Sequence, residues 1–401
     1  MAAATSNNPN EQKGPLVHLR VLELGGLAPA PYCGLLLKQF GADVIHITRT
    51  SGAPEDPAGL SHGKRSVALD LKSPAGIQVL RRMCKNADVL IDPYRPGVLE
   101  KLGLGPHEVL LKDNPRLIVV RITGWGQTGQ YAQAAGHDIN YIALTGALSL
   151  FSRSATEPPL PPVNILGDFA GGGMLATMGV LLALHERAKS GLGQVIDSAM
   201  VDGAAHLATF LFRFRSTGMW SDVPGSNMLD GGAPFYGTYI CSDGKFLSVG
   251  AIEPQFYELL IKGLGLEDEM PGGQMERKFF ADHKRIIAGR IMQKPRDHWA
   301  KVFAPEGPYR DACVAPVLSM QEAIEFPANV ERKVFAKGPS GDQKDVFPNP
   351  GPRLSRTPGF NLPYWRTEPA GKQNRTVLMM YGFTAKEIDD LEAKGVVRSK
   401  M

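Results

Sequence analysis

Between residues 17 and 125 short apolar runs alternate with helical stretches, and this alternation constrains the fold more than any other feature. Arg20–Leu24 reads as a strand, and a Gly/Pro-rich loop follows over Gly25–Pro31. An apolar helix then runs to Phe40, where Gly41 ends it. Asp43–Ile47, Ser66–Leu71, Val89–Ile91 and Leu117–Ile122 are further strand-like runs. Ser73-Pro74 predicts a helix start, with Ser at the N-cap and Pro in the first turn. Gly171–His185 is rich in small apolar residues and predicts a buried helix. Gln194–Asp197 returns a strand to the sheet, and Met200–Arg215 reads as one more helix. The expectation is an α/β fold with a parallel, doubly wound sheet.

The pattern changes at Pro234. Strands near Tyr236–Cys241 and Phe246–Val249, with helices around 254–263, 275–292 and 296–303, suggest a smaller α+β domain. The segment 338–363, rich in Pro and Gly, reads as an extended connector. A last helix starts near Thr384, a suitable N-cap.

Composition narrows the function classes. Apolar residues make up 43% of the 401 and charged residues 21%, a globular balance. No apolar run reaches the roughly 18 residues of a membrane-spanning helix. A net charge of +4 without dense Lys/Arg clusters argues against nucleic acid, though it suits an anionic ligand. Cys33, Cys84, Cys241 and Cys313 show no CxxC or Cys/His spacing, so neither disulfides nor a metal site is expected. Met1–Gly14 reads as a polar leader and not as a targeting signal. The ending Ser399-Lys400-Met401 is one residue from the Ser-Lys-Leu peroxisomal address. The expectations are a peroxisomal location, with the mitochondrion as a second site, and a peroxisomal import receptor as a partner.

No P-loop, GxSxG elbow, HExxH helix or GxGxxG fingerprint is present. Three stretches instead set polar groups among glycines and apolar residues. They are Gly136-His137-Asp138-Ile139-Asn140-Tyr141, Asn164–Gly173 around Asp168, and Gly250–Phe256 around Glu253. Burial is expected at each ionisable group, and burial raises a carboxylate toward neutral pH, where it can exchange protons. Each also fits a structural role: His137 as a core histidine, Asp168 as a helix cap, Glu253 as a surface cap before Pro254.

Further motifs accompany these: Val21-Leu22-Glu23-Leu24 with Ala28-Pro29, Phe40–Val44, Asp92-Pro93-Tyr94-Arg95-Pro96-Gly97, Gly124–Gly129 and Asn227–Tyr236. Together the sequence resembles the family III CoA-transferases of the CaiB/BaiF type over about residues 17–335. Within them it is most similar to the racemases that act on 2-methylacyl-CoA thioesters. Ala30 departs from the family pattern, which has Gly in the first loop. The resemblance implies a Rossmann-like large domain built from both chain ends, a smaller α+β domain, and an interlocked homodimer. On this basis 15–198 is a CoA-binding domain, 199–230 a linker, 231–312 the small domain, 313–337 a second linker and 338–401 the return to the large domain.

The activity so implied is interconversion of (2R)- and (2S)-2-methylacyl-CoA, by α-proton abstraction and reprotonation through an enolate. CoA belongs to the acyl-CoA substrate, and no separate cofactor is implied. The resemblance sets His137 and Asp168 on opposite faces of the α-carbon. It puts Glu253 beside His137. The stretch 136–141 reads as a turn opening a helix, so the Asp138 N–H is the candidate enolate donor, with its side chain positioning Asp168. The resemblance assigns CoA and substrate binding to Arg49, Leu69, Asp70, Leu71, Lys72, Arg95 and Lys101, together with Gly136, Ile139, Asn140 and Tyr141. The alternative is a CoA-transferase in which Asp168 is the nucleophile. Met174, Met219 and Met228 are expected either to line a permissive acyl pocket or to pack in the core.

Overall fold

The computed structural model describes residues 14–51, 59–338, 346–361 and 369–398. Its centre is a six-stranded parallel sheet in the order β3-β2-β1-β4-β5-β6. The strands are β1 (Arg20–Leu24), β2 (Asp43–Thr48), β3 (Arg65–Ala68), β4 (Val89–Asp92), β5 (Ile118–Thr123) and β6 (Val195–Ala199). Both faces are covered, so successive residues enter different cores. Leu22, Ile45 and Leu90 face the helices Pro74–Cys84, Asn374–Met380 and Ala385–Ala393. Val21, Val44 and Ile91 face Pro29–Gln39 and Leu175–Ser190. Double burial is why most of these strands are rich in Val, Ile and Leu, with charged residues such as Glu23 and Arg121 as buried exceptions.

The chain divides into two compact units. The first holds the sheet, formed from residues 14–145, 163–207 and 333–398 of those described. The second takes residues 146–162 and 208–332. There an antiparallel sheet of β7 (Tyr236–Ile240), β8 (Phe246–Gly250) and β9 (Val314–Pro316) packs on Phe235, Leu260, Ile287 and Trp299.

Several elements differ from the sequence expectation. The helix expected over Gly171–His185 starts earlier. A π-helical segment, Ile165–Met174, leads into the α-helix Leu175–Ser190. This continuous Ile165–Ser190 helix is long and apolar enough to cross a membrane by length and composition alone. Here it packs against Pro29–Gln39 and Met200–Leu207. It is not fully buried: Met174, Met178, Leu181 and Leu182 are exposed along one stripe. The helix expected over Met200–Arg215 breaks at Ala208 into Met200–Leu207 and Thr209–Ser216. The proposed connector contains β11 (Val346–Pro348), which pairs with β10 (Phe335–Lys337). Ser73 is the N-cap of Pro74–Cys84, but its hydroxyl makes no capping bond. Ser399-Lys400-Met401 and residues 1–13 lie outside the described residues.

The far end of the chain completes the sheet edge. Asn374 Oδ1 accepts from Ala68 N–H at 2.9 Å, and Gln373 Oε1 from Ser66 N–H at 2.7 Å. Asp70 N–H donates to Val396 O at 2.9 Å, beside a bridge between Leu69 and Val397.

Candidate functional site

The strand order reverses between β1 and β4, and ligands of such sheets bind beyond the carboxyl ends of the strands near that switch. Most of the expected anion-binding residues follow strand ends on that edge. Arg49 is exposed after β2, close enough to Tyr94 to influence its hydroxyl. Leu69-Asp70-Leu71-Lys72 follows β3; Leu69 itself is buried, and Asp70 Oδ1 accepts from Lys72 N–H at 3.0 Å. Arg95 follows β4 and reaches Gln133 O at 3.5 Å. Lys101 is exposed at the end of the short Val98–Lys101 helix. Among the described residues none of Arg49, Lys72, Arg95 or Lys101 is ion-paired.

The loop after β5 ends at His137, the N-cap of the helix Asp138–Leu144. Asp138 is buried at the first helical position, so its N–H has no acceptor within the helix. Its Oδ2 accepts from Gly167 N–H at 2.6 Å and from Asp168 N–H at 2.8 Å. One carboxylate thus grips the opening turn of the π-helical segment, because the first N–H groups of a helix lack intrahelical partners. Among the described residues Asp138 Oδ1 is enclosed and meets no hydrogen-bond donor.

Asp168 is buried, as expected, but it does not cap the helix. The cap is Asn164, in the left-handed region at φ 64°, a conformation Asn tolerates better than most residues. Asn164 Nδ2 donates to Asp168 Oδ2 at 2.9 Å. Burial raises the Asp168 carboxyl above its ordinary value. The Asn164 bond opposes the rise, the Asp138 charge adds to it, and His137 opposes it. Asn164 opens the stretch that the sequence singles out around Asp168, without a role of its own there. Its four-residue spacing to Asp168 was the available signal.

Two expectations of burial fail. His137 and Glu253 are both exposed, since each is a helix N-cap at the end of a loop. Ile139 and Asn140 are exposed as well, whereas Tyr141 is buried and Gly136 partly so. The structure therefore brings His137, Asp138 and Asp168 together in the first unit. Glu253 belongs to the second unit, where its carbonyl accepts from Phe256 and Tyr257 N–H at 3.0 Å each.

Two buried ionic clusters were not anticipated. Glu23 bonds Lys64 Nζ and His46 Nδ1, each at 2.7 Å, and Lys64 also donates to Pro31 O at 2.7 Å. Arg121 joins Asp92, at 3.1 Å, to Glu100, at 2.8 Å, bracing the loop that carries Arg95. Met174, with Tyr32, Leu36, Phe40, Met178 and Phe347, lines an apolar cavity of about 900 Å³ whose wall includes neither His137 nor Asp168. Met219 is exposed and Met228 packs on the second unit's core. Among the described residues, no group of three His, Cys, Asp or Glu side chains could hold a metal ion.

The model of CoA-transferase family III matches residues 16–374. The chain belongs to that family. It is 49% identical to alpha-methylacyl-CoA racemase from Mus musculus over 382 residues, covering 95% of this chain and 97% of the relative. It is 46% identical to alpha-methylacyl-CoA racemase from Homo sapiens, covering 95% and 97%. The crystal structure of a CAIB/BAIF family protein from Brucella suis superposes with a TM-score of 0.77 at 25% identity, covering 92% of this chain and all of that one.

Proposed function

We propose that this family III enzyme is an α-methylacyl-CoA racemase that inverts the 2-methyl centre by proton transfer on both faces. The observation that carries the reading is the nearly full-length identity of about half to two racemases. The site geometry supports it. Asp168, raised by burial, is suited to exchange a proton with a weak carbon acid, and His137 lies close enough for its charge to act on Asp168. For one epimer His137 removes the α-proton while Asp168 supplies another to the opposite face; for the other epimer the roles reverse. The enolate forms on the thioester oxygen, and the unspent Asp138 N–H at the helix start is its proposed donor. Arg49, Lys72, Arg95 and Lys101 offer cations at the carboxyl edge for the phosphates of CoA.

The deciding measurement is mass spectrometry of a 2-methylacyl-CoA incubated with the enzyme in heavy water. Inversion with one deuterium gained at the α-carbon supports the reading, and inversion without deuterium overturns it. An acyl group trapped on Asp168 by hydroxylamine, with CoA passing to a free acid, would mark a transferase instead.

The assembly proposed is a homodimer, with the exposed Met174, Met178, Leu181 and Leu182 stripe as apolar surface for a second copy to cover. Analytical ultracentrifugation with parallel assays tests it, and a fully active monomer refutes it. The proposed location is the peroxisome, reached through an import receptor that reads Ser399-Lys400-Met401, with the mitochondrion as a second site. An N-terminal fluorescent fusion whose distribution ignores deletion of that tripeptide refutes the address.

A further inference from the structure

His137 is exposed at the end of a loop, yet a base in proton transfer must be held to within a fraction of an ångström. The restraint lies in the peptide that precedes it. Both polar atoms of the Gly136–His137 peptide are taken by side chains of the next helix. Its N–H, on His137, donates to Asn140 Oδ1 at 3.0 Å. Its carbonyl, on Gly136, accepts from Tyr141 Oη at 2.5 Å.

In helix terms Asn140 is the third residue and supplies one half of a capping box. Tyr141 is the fourth residue and reaches back to Gly136, just before the cap. That is the span of a hydrophobic staple, closed here by a hydroxyl on a carbonyl. The ring of Tyr141 is itself confined. A side chain on Gly124 would collide with it, and a Cβ on Gly136 would come within 2.7 Å. Trp125 packs edge-on to it with centroids 4.9 Å apart. With 7% of its surface exposed and its hydroxyl spent on Gly136, Tyr141 has little left to offer a substrate.

We propose that Tyr141 and Asn140 are positioning residues that clamp the Gly136–His137 peptide and so aim the His137 imidazole at the α-carbon. This differs from the direct substrate contact that resemblance implies for both. It rests on the racemase reading for its kinetic consequence, but not for its structural one.

Tyr141→Phe keeps the ring in its slot and removes only the clamp. The expected result is a loss in kcat of about 10-fold or more with KM little changed, since misplacement of a reacting group by about 1 Å can cost 10²-fold. The loss should be one-sided in exchange. Deuterium wash-in should slow for the epimer that His137 deprotonates and persist for the one that Asp168 deprotonates. Asn140→Asp keeps an acceptor for the His137 N–H and should preserve the His137 ring signal, while Asn140→Ala should behave like Tyr141→Phe. The histidine ring NMR signal of His137 should shift or broaden in Tyr141→Phe. A raised KM with unchanged kcat, or kinetics and ring signal both unaltered, overturns the clamp. If the wild-type enzyme exchanges no α-hydrogen, the racemase reading falls, and the His137 ring signal alone then decides the clamp.

Discussion

Asp168 is tuned by neighbours that pull in opposite directions. Burial lifts its carboxyl, Asn164 lowers it and Asp138 lifts it again. Asn164→Ala removes the opposing hydrogen bond, so the ionised base should appear only at higher pH. The acidic limb of kcat/KM should move up. Asp138→Asn removes the repelling charge while leaving an oxygen to hold the Gly167 and Asp168 amides, so the limb should move down. A pH–rate profile of both variants checks the pair of signs. Glu23 shows the reverse balance. Burial alone would raise it, but the Lys64 charge and then His46 hold it below 4.5. A depressed carboxyl adds stability above its unfolded pKa and loses it as pH falls through the folded one. Glu23→Gln strands the buried Lys64, and thermal melts should report a loss of about 3–5 kcal/mol. At this scale the sequence revealed that Asp168 sits in an apolar, glycine-rich setting. It did not reveal exposure at His137 and Glu253, because loop residues have no periodicity from which to read a face.

Close packing between helices depends on missing side chains. Gly203, in Met200–Leu207, meets the Gly171 carbonyl of the π-helical segment so closely that a Cβ would collide with backbone. Backbone cannot swing aside as a side chain can. Gly203→Ala should therefore destabilise by at least the 1–3 kcal/mol typical of overpacking, read from chemical denaturation. It should also cut activity, because the segment it displaces carries Asp168. Several strands buried on both faces were plain in the sequence, since β1, β2, β4 and β5 are rich in β-branched and leucine residues. The break at Ala208 was not, because alanine is the best of helix formers and only the passage from one unit to the other ends the helix there. The Phe335–Lys337 and Val346–Pro348 pair was hidden because three-residue strands carry no usable period.

At the scale of the whole chain, the first unit is built from both ends of the sequence, with most of the second unit encoded between them. Residues after 369 satisfy backbone donors at Ser66, Ala68 and Asp70 that no neighbouring strand reaches. Deletion of everything after Ala370 should expose that edge. Limited proteolysis should then cut near β3, and the melting temperature should drop. That the sheet would be parallel was legible from residues 17–125. That its edge would be finished by Gln373 and Asn374 was not, since side-chain capping over 306 positions leaves no local pattern. The same separation sets a clock on the newborn chain. At about 5–20 residues per second a ribosome needs roughly 15–60 s to pass from Ala68 to Asn374. Throughout that interval β3 presents unpaired amides to the cell, so synthesis of this enzyme should depend on a chaperone that shields a strand edge until its last partner emerges.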